Sequence, residues 1–314
     1  MIHKSEVSER VCRQALVAPR LASSPDRRPL LGAVVTLCLL TVELTGRARR
    51  VLGAGAVSNV QVQVLTYVMS NPGVAPSDVA GALGLHRSAV SRALIALRGG
   101  GLVRDGDPVA EGRRVGLEAT AAAEARVSVF EESVSALFSE RAESLRQSVD
   151  AIGPEVTTPD TGGVPDIGAV LSELTRTGLA WFDDVAPVLD SFGLHGATDR
   201  AALTLICHRG IIRPGELMVT LRLSSSGTST MLARLEGLGL VARRQVPSGD
   251  HRMVEVSCAA RGVEAVDGLV KTFVRHAQPI AASLGLALSL AGRGEASSTG
   301  ASDLLTSTTG DPAT

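Results

Sequence analysis

Hydroxyl and guanidinium side chains are concentrated at the start of one predicted helix in each half of the chain. In the first half these residues are His86, Arg87, Ser88, Ser91 and Arg92. In the second half they are Ser224, Ser225, Ser226, Thr228 and Ser229, with Arg234 further along the same helix. Arginine can donate two parallel hydrogen bonds to guanine, whereas Ser and Thr hydroxyls contact bases or phosphates less selectively. These two clusters therefore carry the side chains expected to bind nucleic acid.

A second polar cluster follows each of these helices, where two short predicted strands flank a tip. The first tip contains Glu111, Arg113 and Arg114, and the second contains Asp250, His251 and Arg252. An arginine at the tip of a hairpin suits insertion into a narrow, strongly negative minor groove. The helix and the hairpin together predict contacts with both grooves of a duplex.

The two halves of the chain repeat each other. Residues 83–103 align with residues 221–241 at a constant offset of 138, and ten of these 21 positions are identical without a gap. Leu94 matches Leu232, for example, and Gly101 matches Gly239. A repeat of this length indicates a duplicated domain.

Both repeats predict the same order of elements. The apolar positions Val90, Leu94 and Leu97 follow the i, i+4, i+7 pattern of a helix with one buried face. A tight turn at 83–86, or 221–224, joins this helix to a short preceding one, which predicts a helix-turn-helix. The expected helices are 30–52, 87–98 and 119–149 in the first repeat, and 168–192, 225–236 and 259–290 in the second.

The second tip and the strand after it read Asp250-His251-Arg252-Met253-Val254-Glu255-Val256-Ser257, and the first reads Glu111-Gly112-Arg113-Arg114-Val115-Gly116-Leu117. With the helix-turn-helix before them, these segments resemble the wing of the MarR family of bacterial winged-helix regulators, present twice. The resemblance covers about 30–149 and 166–290. It implies that Asp250 and Glu111 brace the wings, and that Arg252 and Arg113 contact DNA.

MarR proteins are normally homodimers formed through their first and last helices, so the resemblance implies that the two copies form an intramolecular pseudo-dimer. The expected fold is mainly α, with two winged helix-turn-helix domains, small β-hairpin wings and long flanking helices. The expected boundaries are a disordered tail at 1–29, domains at 30–149 and 166–291, a Pro/Gly/Thr-rich linker at 150–165 and a disordered tail at 292–314.

The formal net charge of −1 is unusual for a nucleic-acid-binding protein. Binding depends on local charge, however, and residues 86–114 hold six Arg against three acids. Residues 209–252 hold seven Arg against three acids. The sequence therefore predicts DNA affinity that falls steeply with salt.

Other features exclude several classes of protein. Cys12, Cys38, Cys207 and Cys258 are scattered, which predicts buried thiols in a reducing cytoplasm rather than a metal site. The apolar run at 30–44 is shorter than a membrane span and contains Glu43, so it predicts a buried core or dimerisation helix. Catalytic motifs and phosphate-binding loops are missing, which predicts a cytoplasmic non-enzyme without cofactor or metal.

These patterns predict a transcriptional regulator that binds double-stranded DNA, expected to be a repressor. The resemblance implies that a small phenolic or lipophilic effector could relieve repression. Because the first repeat exposes Arg and the second Ser and Thr, we expect unequal half-sites, with larger losses from mutating Arg87 or Arg92 than Ser225 or Thr228. Two alternatives stay open: a winged-helix module that binds protein instead of DNA, and a regulator in which only the first repeat reads DNA. The oligomeric state of the intact chain also stays open.

Overall fold

The structure is a computed structural model, and it describes residues 27–53, 58–83, 85–108, 115–153, 166–245 and 254–306. The prediction of a mainly helical chain is confirmed. The first half contains α1 (Arg28–Leu52), α2 (Asn59–Ser70), α3 (Pro76–Ala82), α4 (Arg87–Gly99), β1 (Val103–Pro108), β2 (Val115–Ala119), α5 (Ala121–Glu140) and α6 (Ala142–Ile152). The second half contains α7 (Ile167–Ser191), α8 (Ala197–Arg209), β3 (Ile211–Ile212), α9 (Pro214–Thr220), α10 (Ser225–Gly237), β4 (Val241–Gln245), β5 (Val254–Cys258) and α11 (Ala260–Thr306).

Local signals in the sequence set several helix starts. Ser58 and Gln61 form a capping box at α2, in which the backbone N–H of Ser58 donates to Oε1 of Gln61 at 2.7 Å. Thr120 caps α5 by accepting the N–H of Ala123 at 3.2 Å. The short helices α3 and α9 begin with Pro76 and Pro214, and proline is favoured there because the first turn leaves its N–H groups unbonded.

Each helix-turn-helix is followed by an antiparallel hairpin. Strands β1 and β2 pair with Val103 opposite Ala119, whereas β3, β5 and β4 form a three-stranded sheet in that order. In the first half, Val74 makes a single bridge to Leu117 at the position that β3 occupies in the second half. The hairpin therefore bonds in both repeats to the segment that precedes the helix-turn-helix.

The described chain divides into two compact units, each of which takes residues from both sides of the linker predicted at 150–165. The α10 unit combines residues up to 43, residues from 143 to 153 and residues from 176 to 285. Within it, the start of α1 packs against second-half elements. Arg27 pairs with Asp267 of α11 at 2.6 Å, and Gly32 lies beside His208 of α8. Trp181 is fully buried and meets the ring of Phe273 edge-on at 5.7 Å.

The α4 unit combines residues from 44 to 142, the start of α7 up to residue 175, and α11 from residue 286. In it, the end of α1 packs against α5. Arg47 is 7% exposed, pairs with Glu140 at 2.9 Å and donates to the carbonyl of Ser133 at 2.6 Å. The start of α7 lies beside α2, and Ser139 donates to the carbonyl of Ala291 on α11 at 3.4 Å.

Two helices differ from their predicted bounds. The single helix expected at 119–149 is broken at Arg141 into α5 and α6, although neither Gly nor Pro marks the break in the sequence. The break coincides with the boundary between the units, because α5 belongs to the α4 unit and α6 to the α10 unit. The last helix runs to Thr306, into the segment from 292 that the sequence predicts as an irregular tail.

One described helix, α1, has the length and apolar composition of a membrane span. Within its most apolar window, however, 56% is buried inside the protein. Val34, Leu37 and Leu40 are each at most 5% exposed, so this face packs as a core helix does.

Candidate nucleic-acid interface

The first two turns of α4 present polar side chains to solvent. Arg87, Ser88, Ser91 and Arg92 are all exposed. Their positions on α4 are fixed from the opposite side, where Val90, Ala93, Leu94 and Leu97 are buried. The apolar face thus anchors the helix in the core and turns the predicted reading face outward.

His86 also has a structural role at this turn. It is the N-cap of α4: its Nδ1 accepts the N–H of Ser88 at 3.3 Å and lies 2.8 Å from the Ser88 hydroxyl. The backbone turn is closed by the N–H of Leu85, which donates to the carbonyl of Ala80 at 3.0 Å. Capping residues fix the direction in which a helix enters its first turn. His86 therefore orients the arginines that follow it.

The matching turn of α10 exposes serines instead of arginines. Ser224, Ser225, Ser226 and Ser229 are exposed, and Ser224 caps the helix by accepting the N–H of Gly227 at 3.1 Å. The expectation that Thr228 contacts DNA is wrong for this structure. Thr228 is 3% exposed, and its hydroxyl donates to the carbonyl of Ser224 at 3.0 Å. The helical period brings Thr228 round to the buried face, with Met231, Leu232 and Leu235.

Arg234 is held at the base of α10 by Asp199 of α8. Asp199 is 4% exposed and accepts a hydrogen bond from Nη2 of Arg234. This hydrogen bond and the negative charge of Asp199 raise the pKa of Arg234. The side chain of Arg234 is 52% exposed, so it neutralises a buried carboxylate while it still faces solvent. Its DNA contact stays a prediction, and sequence reasoning missed its partner, which lies 35 residues away.

A second ion pair joins the end of the second helix of each helix-turn-helix, α4 or α10, to the strand that follows it. In the first repeat, Arg98 of α4 pairs with Asp105 of β1. At the matching positions of the second repeat, Glu236 of α10 pairs with Arg243 of β4 at 3.0 Å. The charges are exchanged but the contact is the same. Aligning residues 98 and 105 with 236 and 243 reveals this signal in the sequence.

Cross-strand pairs hold further arginines on the wing strands. Arg104 pairs with Glu118 at 2.7 Å and Arg244 pairs with Glu255 at 3.1 Å. The wing tips themselves lie outside the described residues. The contacts expected for Arg113, Arg114, His251 and Arg252, and the bracing expected for Glu111 and Asp250, therefore stay predictions.

The expectation of four free cysteines is wrong. Cys207, near the end of α8, forms a disulfide with Cys258, the last residue of β5, and the two Cα atoms are 5.3 Å apart. The bond links the core of the α10 unit to its wing sheet. Cys38 is free and buried, and burial raises the pKa of its thiol to about 11. Cys12 lies outside the described residues. The two paired cysteines are 51 residues apart, and scattered spacing of this kind gives no sign of pairing.

The turn before α10 has a backbone conformation that side chains disfavour. Arg222 has a φ of 51°, and no other non-glycine residue in the described part of the chain has a positive φ. At offset 138 its match is Gly84, which lies outside the described residues. Glycine adopts this conformation without a steric penalty, whereas for another residue it costs about 1–2 kcal/mol. The second repeat therefore carries an exposed arginine at a position where the first repeat has glycine, the residue that adopts a positive φ most readily.

No family model matches the chain, and no curated protein matches it. Among the solved structures that match, two are similar to part of the chain as follows. The crystal structure of NadR in complex with 4-hydroxyphenylacetate is 22% identical and covers 32% of this chain and 69% of that one, with a TM-score of 0.26. The crystal structure of a cysteine-to-serine mutant of MarR from E. coli is 20% identical and covers 42% of this chain and 90% of that one, with a TM-score of 0.28. At TM-scores this low, neither structure bears on the function of this chain.

Proposed function

We propose that this chain is a DNA-binding transcriptional regulator in which α4 and α10 are the reading helices. The observation that carries the proposal is the exposed, polar surface of the first two turns of each helix, held outward by a buried apolar face and preceded by a tight turn. A helix presented in this way fits a major groove about 12 Å wide. An antiparallel hairpin follows each helix, which supports the proposal because a wing would lie there.

The proposal includes two winged helix-turn-helix domains joined as an intramolecular pseudo-dimer. Two reading helices of one dimer bind half-sites one DNA turn apart, about 34 Å. Because α4 offers Arg87 and Arg92 where α10 offers Ser225 and Thr230, we propose that the two half-sites differ. Arginine selects guanine, whereas serine tolerates several bases, so the half-site read by α4 is the more restricted one.

We propose that the regulator is a repressor, and that binding of a small phenolic or lipophilic molecule relieves the repression. An effector of this kind acts by binding one arrangement of the reading helices more tightly than another. This part of the proposal rests on the family resemblance of the sequence.

Selection from a random pool of DNA duplexes by the full chain tests the proposal. We expect a selected site with two unequal half-sites, and an affinity whose logarithm falls with the logarithm of salt concentration, by about 0.9 for each phosphate contact. Arg146→Ala is the matched control for the arginine variants of α4. Arg146 is an exposed arginine of α6, outside the proposed interface, and pairs with Glu143 within its own helix.

Two results would redirect the proposal. No retained duplex at any salt concentration would favour a winged-helix module that binds protein. A footprint of one half-site would favour a regulator in which only α4 reads DNA, and the absence of arginine from the first turn of α10 supports this second reading.

A further inference from the structure

A large apolar side chain, Ile95, lies on the solvent-facing side of α4. It is 66% exposed, and it follows Arg92 by three residues and Ser91 by four. Residues at these separations share one face of a helix. The buried residues Ala93 and Leu97 lie on the other side of α4. Ile95 therefore extends the polar surface of the first two turns by one further turn and places an apolar group on it.

Packing within the α4 unit does not account for an isoleucine at this position. The matching residue of the second repeat is Ala233, which is also exposed, so the repeated fold accepts a much smaller side chain here. Alanine is also the better helix former, because a β-branched side chain loses rotamer freedom in a helix. An exposed isoleucine gains free energy from burial when another molecule covers it.

The major groove of DNA contains one apolar group that such a side chain can cover. Thymine presents its C5-methyl group there, whereas guanine presents two acceptors and cytosine presents an N–H donor. Covering a donor or an acceptor with isoleucine would remove it from water without a hydrogen bond, which is unfavourable. An isoleucine in the groove therefore favours a T·A pair over a G·C pair.

We propose that Ile95 is a specificity-determining residue that selects thymine by packing against its C5-methyl group. This inference rests on the proposed function and deepens it by naming a base. At 1.5 Å per residue, Ile95 lies about 4.5 Å beyond Arg92 along the helix axis, which is little more than the step of about 3.4 Å between base pairs. The thymine is therefore expected one or two base pairs from the guanine that Arg92 contacts.

Replacing each thymine of the selected duplex in turn by deoxyuridine tests the contact with the full chain. Deoxyuridine lacks the methyl group but keeps the base-pairing edge of thymine. At one thymine beside the guanine, we expect the affinity to fall about fourfold, the factor that corresponds to burying one methyl group. A selected site without a thymine within two base pairs of that guanine would contradict the proposal.

Ile95→Ala assigns the effect of the methyl group to this side chain. We expect the variant to bind the thymine and deoxyuridine duplexes with the same affinity, within about 1.5-fold, because the alanine side chain is too short to cover the methyl group. Val129→Ala is the matched control, since Val129 is a 53% exposed apolar residue of α5, outside the proposed interface. This control should keep the fourfold difference. A difference that persists in Ile95→Ala would show that another group contacts the methyl.

Stability and salt dependence separate a contact with the base from other effects. Ile95→Ala should be at least as stable as the unmodified chain in thermal melting, and a clear loss of stability would assign Ile95 to the fold instead. Raising the salt concentration should weaken binding to both duplexes and leave their ratio unchanged, because a methyl contact releases no counterions. If no duplex is bound, the proposed function fails. If a duplex is bound and every deoxyuridine is tolerated, the thymine contact alone is wrong.

Discussion

The α4 unit and the α10 unit share one order of elements but differ in where their charges and covalent links lie. The α4 unit exposes Arg87 and Arg92 on its reading helix, and Ser58 and Gln61 cap its α2. The α10 unit exposes serines, carries the Cys207–Cys258 disulfide and buries Asp199 against Arg234. Under the proposed function, one unit thus presents groups that discriminate bases, while the other is cross-linked by a disulfide and presents groups that discriminate little.

The two repeats also differ in the signs of one ion pair at matching positions. Arg98 with Asp105 and Glu236 with Arg243 make the same contact with opposite signs. Both repeats thus join the end of this helix to the strand that follows it by an ion pair, and either arrangement of charges supplies the attraction. The choice of sign then decides whether the wing strand beside the helix is acidic or basic.

The largest difference in stability between the units should come from the disulfide. Replacing Cys207 and Cys258 by Ala should lower the free energy of unfolding of the α10 unit by about 4 kcal/mol, since the bond closes a long loop. Denaturation with and without a reductant measures this, and the double variant should not respond to the reductant. Equal stability of the oxidised and reduced chain would contradict the cross-link.

The arginines of α4 should dominate DNA recognition. Arg87→Ala or Arg92→Ala should weaken binding to the selected duplex by about 10- to 100-fold, because a guanine contact is worth about 1–3 kcal/mol. Ser225→Ala should cost less than threefold, and Thr228→Ala should act on stability because Thr228 is buried. Binding to half-site variants measures the losses of affinity caused by the Arg87, Arg92 and Ser225 variants. Similar losses at Arg87 and Ser225 would remove the proposed difference between the half-sites.

Replacing Arg234 tests whether its ion pair with Asp199 stabilises the α10 unit. Arg234→Ala leaves the carboxylate of Asp199 buried without its partner, so we expect a loss of about 2 kcal/mol in stability. Arg146→Ala, which removes an exposed pair on α6, should cost less than about 0.5 kcal/mol. Urea denaturation of both variants measures the contrast. A loss confined to DNA affinity, with unchanged stability, would assign Arg234 to the interface alone.

Replacing Arg222 tests whether its positive φ strains the turn before α10. Arg222→Gly should stabilise the chain by up to about 1 kcal/mol, because glycine adopts the positive φ of this position without strain. Ala233→Gly, within α10, should destabilise it by about 1 kcal/mol. If Arg222→Gly also weakens DNA binding at low salt, the side chain contributes to the interface; a destabilised Arg222→Gly would contradict the strain.

The smallest expected effect is that of exchanging the ion pair of the α4 unit. Arg98→Glu or Asp105→Arg alone should destabilise by about 0.5 kcal/mol, and the two together should recover most of the loss, because these side chains are partly exposed. A double-mutant cycle on thermal unfolding measures the coupling. The absence of coupling would mean that the shared contact of the two repeats has no energetic role.

Much of the local structure could be predicted from the sequence. The repeat, the starts of α4 and α10 and the buried positions of α4 follow from spacing and capping residues within one or two helical turns. Thr228 shows the limit of this reasoning, because a hydroxyl next to serines looks exposed until the helix phase is fixed by Met231 and Leu232. The Arg234–Asp199 pair depends on which elements become neighbours, so residue types alone do not give it.

Residues close in the chain are enough to set the order of the helices and strands and the polar surface of each reading helix, because periodicity and caps act over short separations. Only three-dimensional packing makes α1 and α7 each divide between two units, and brings Cys207 to Cys258. Those pairings depend on how apolar faces far apart in the chain exclude water together. That free energy belongs to the packed arrangement and to no short segment of it.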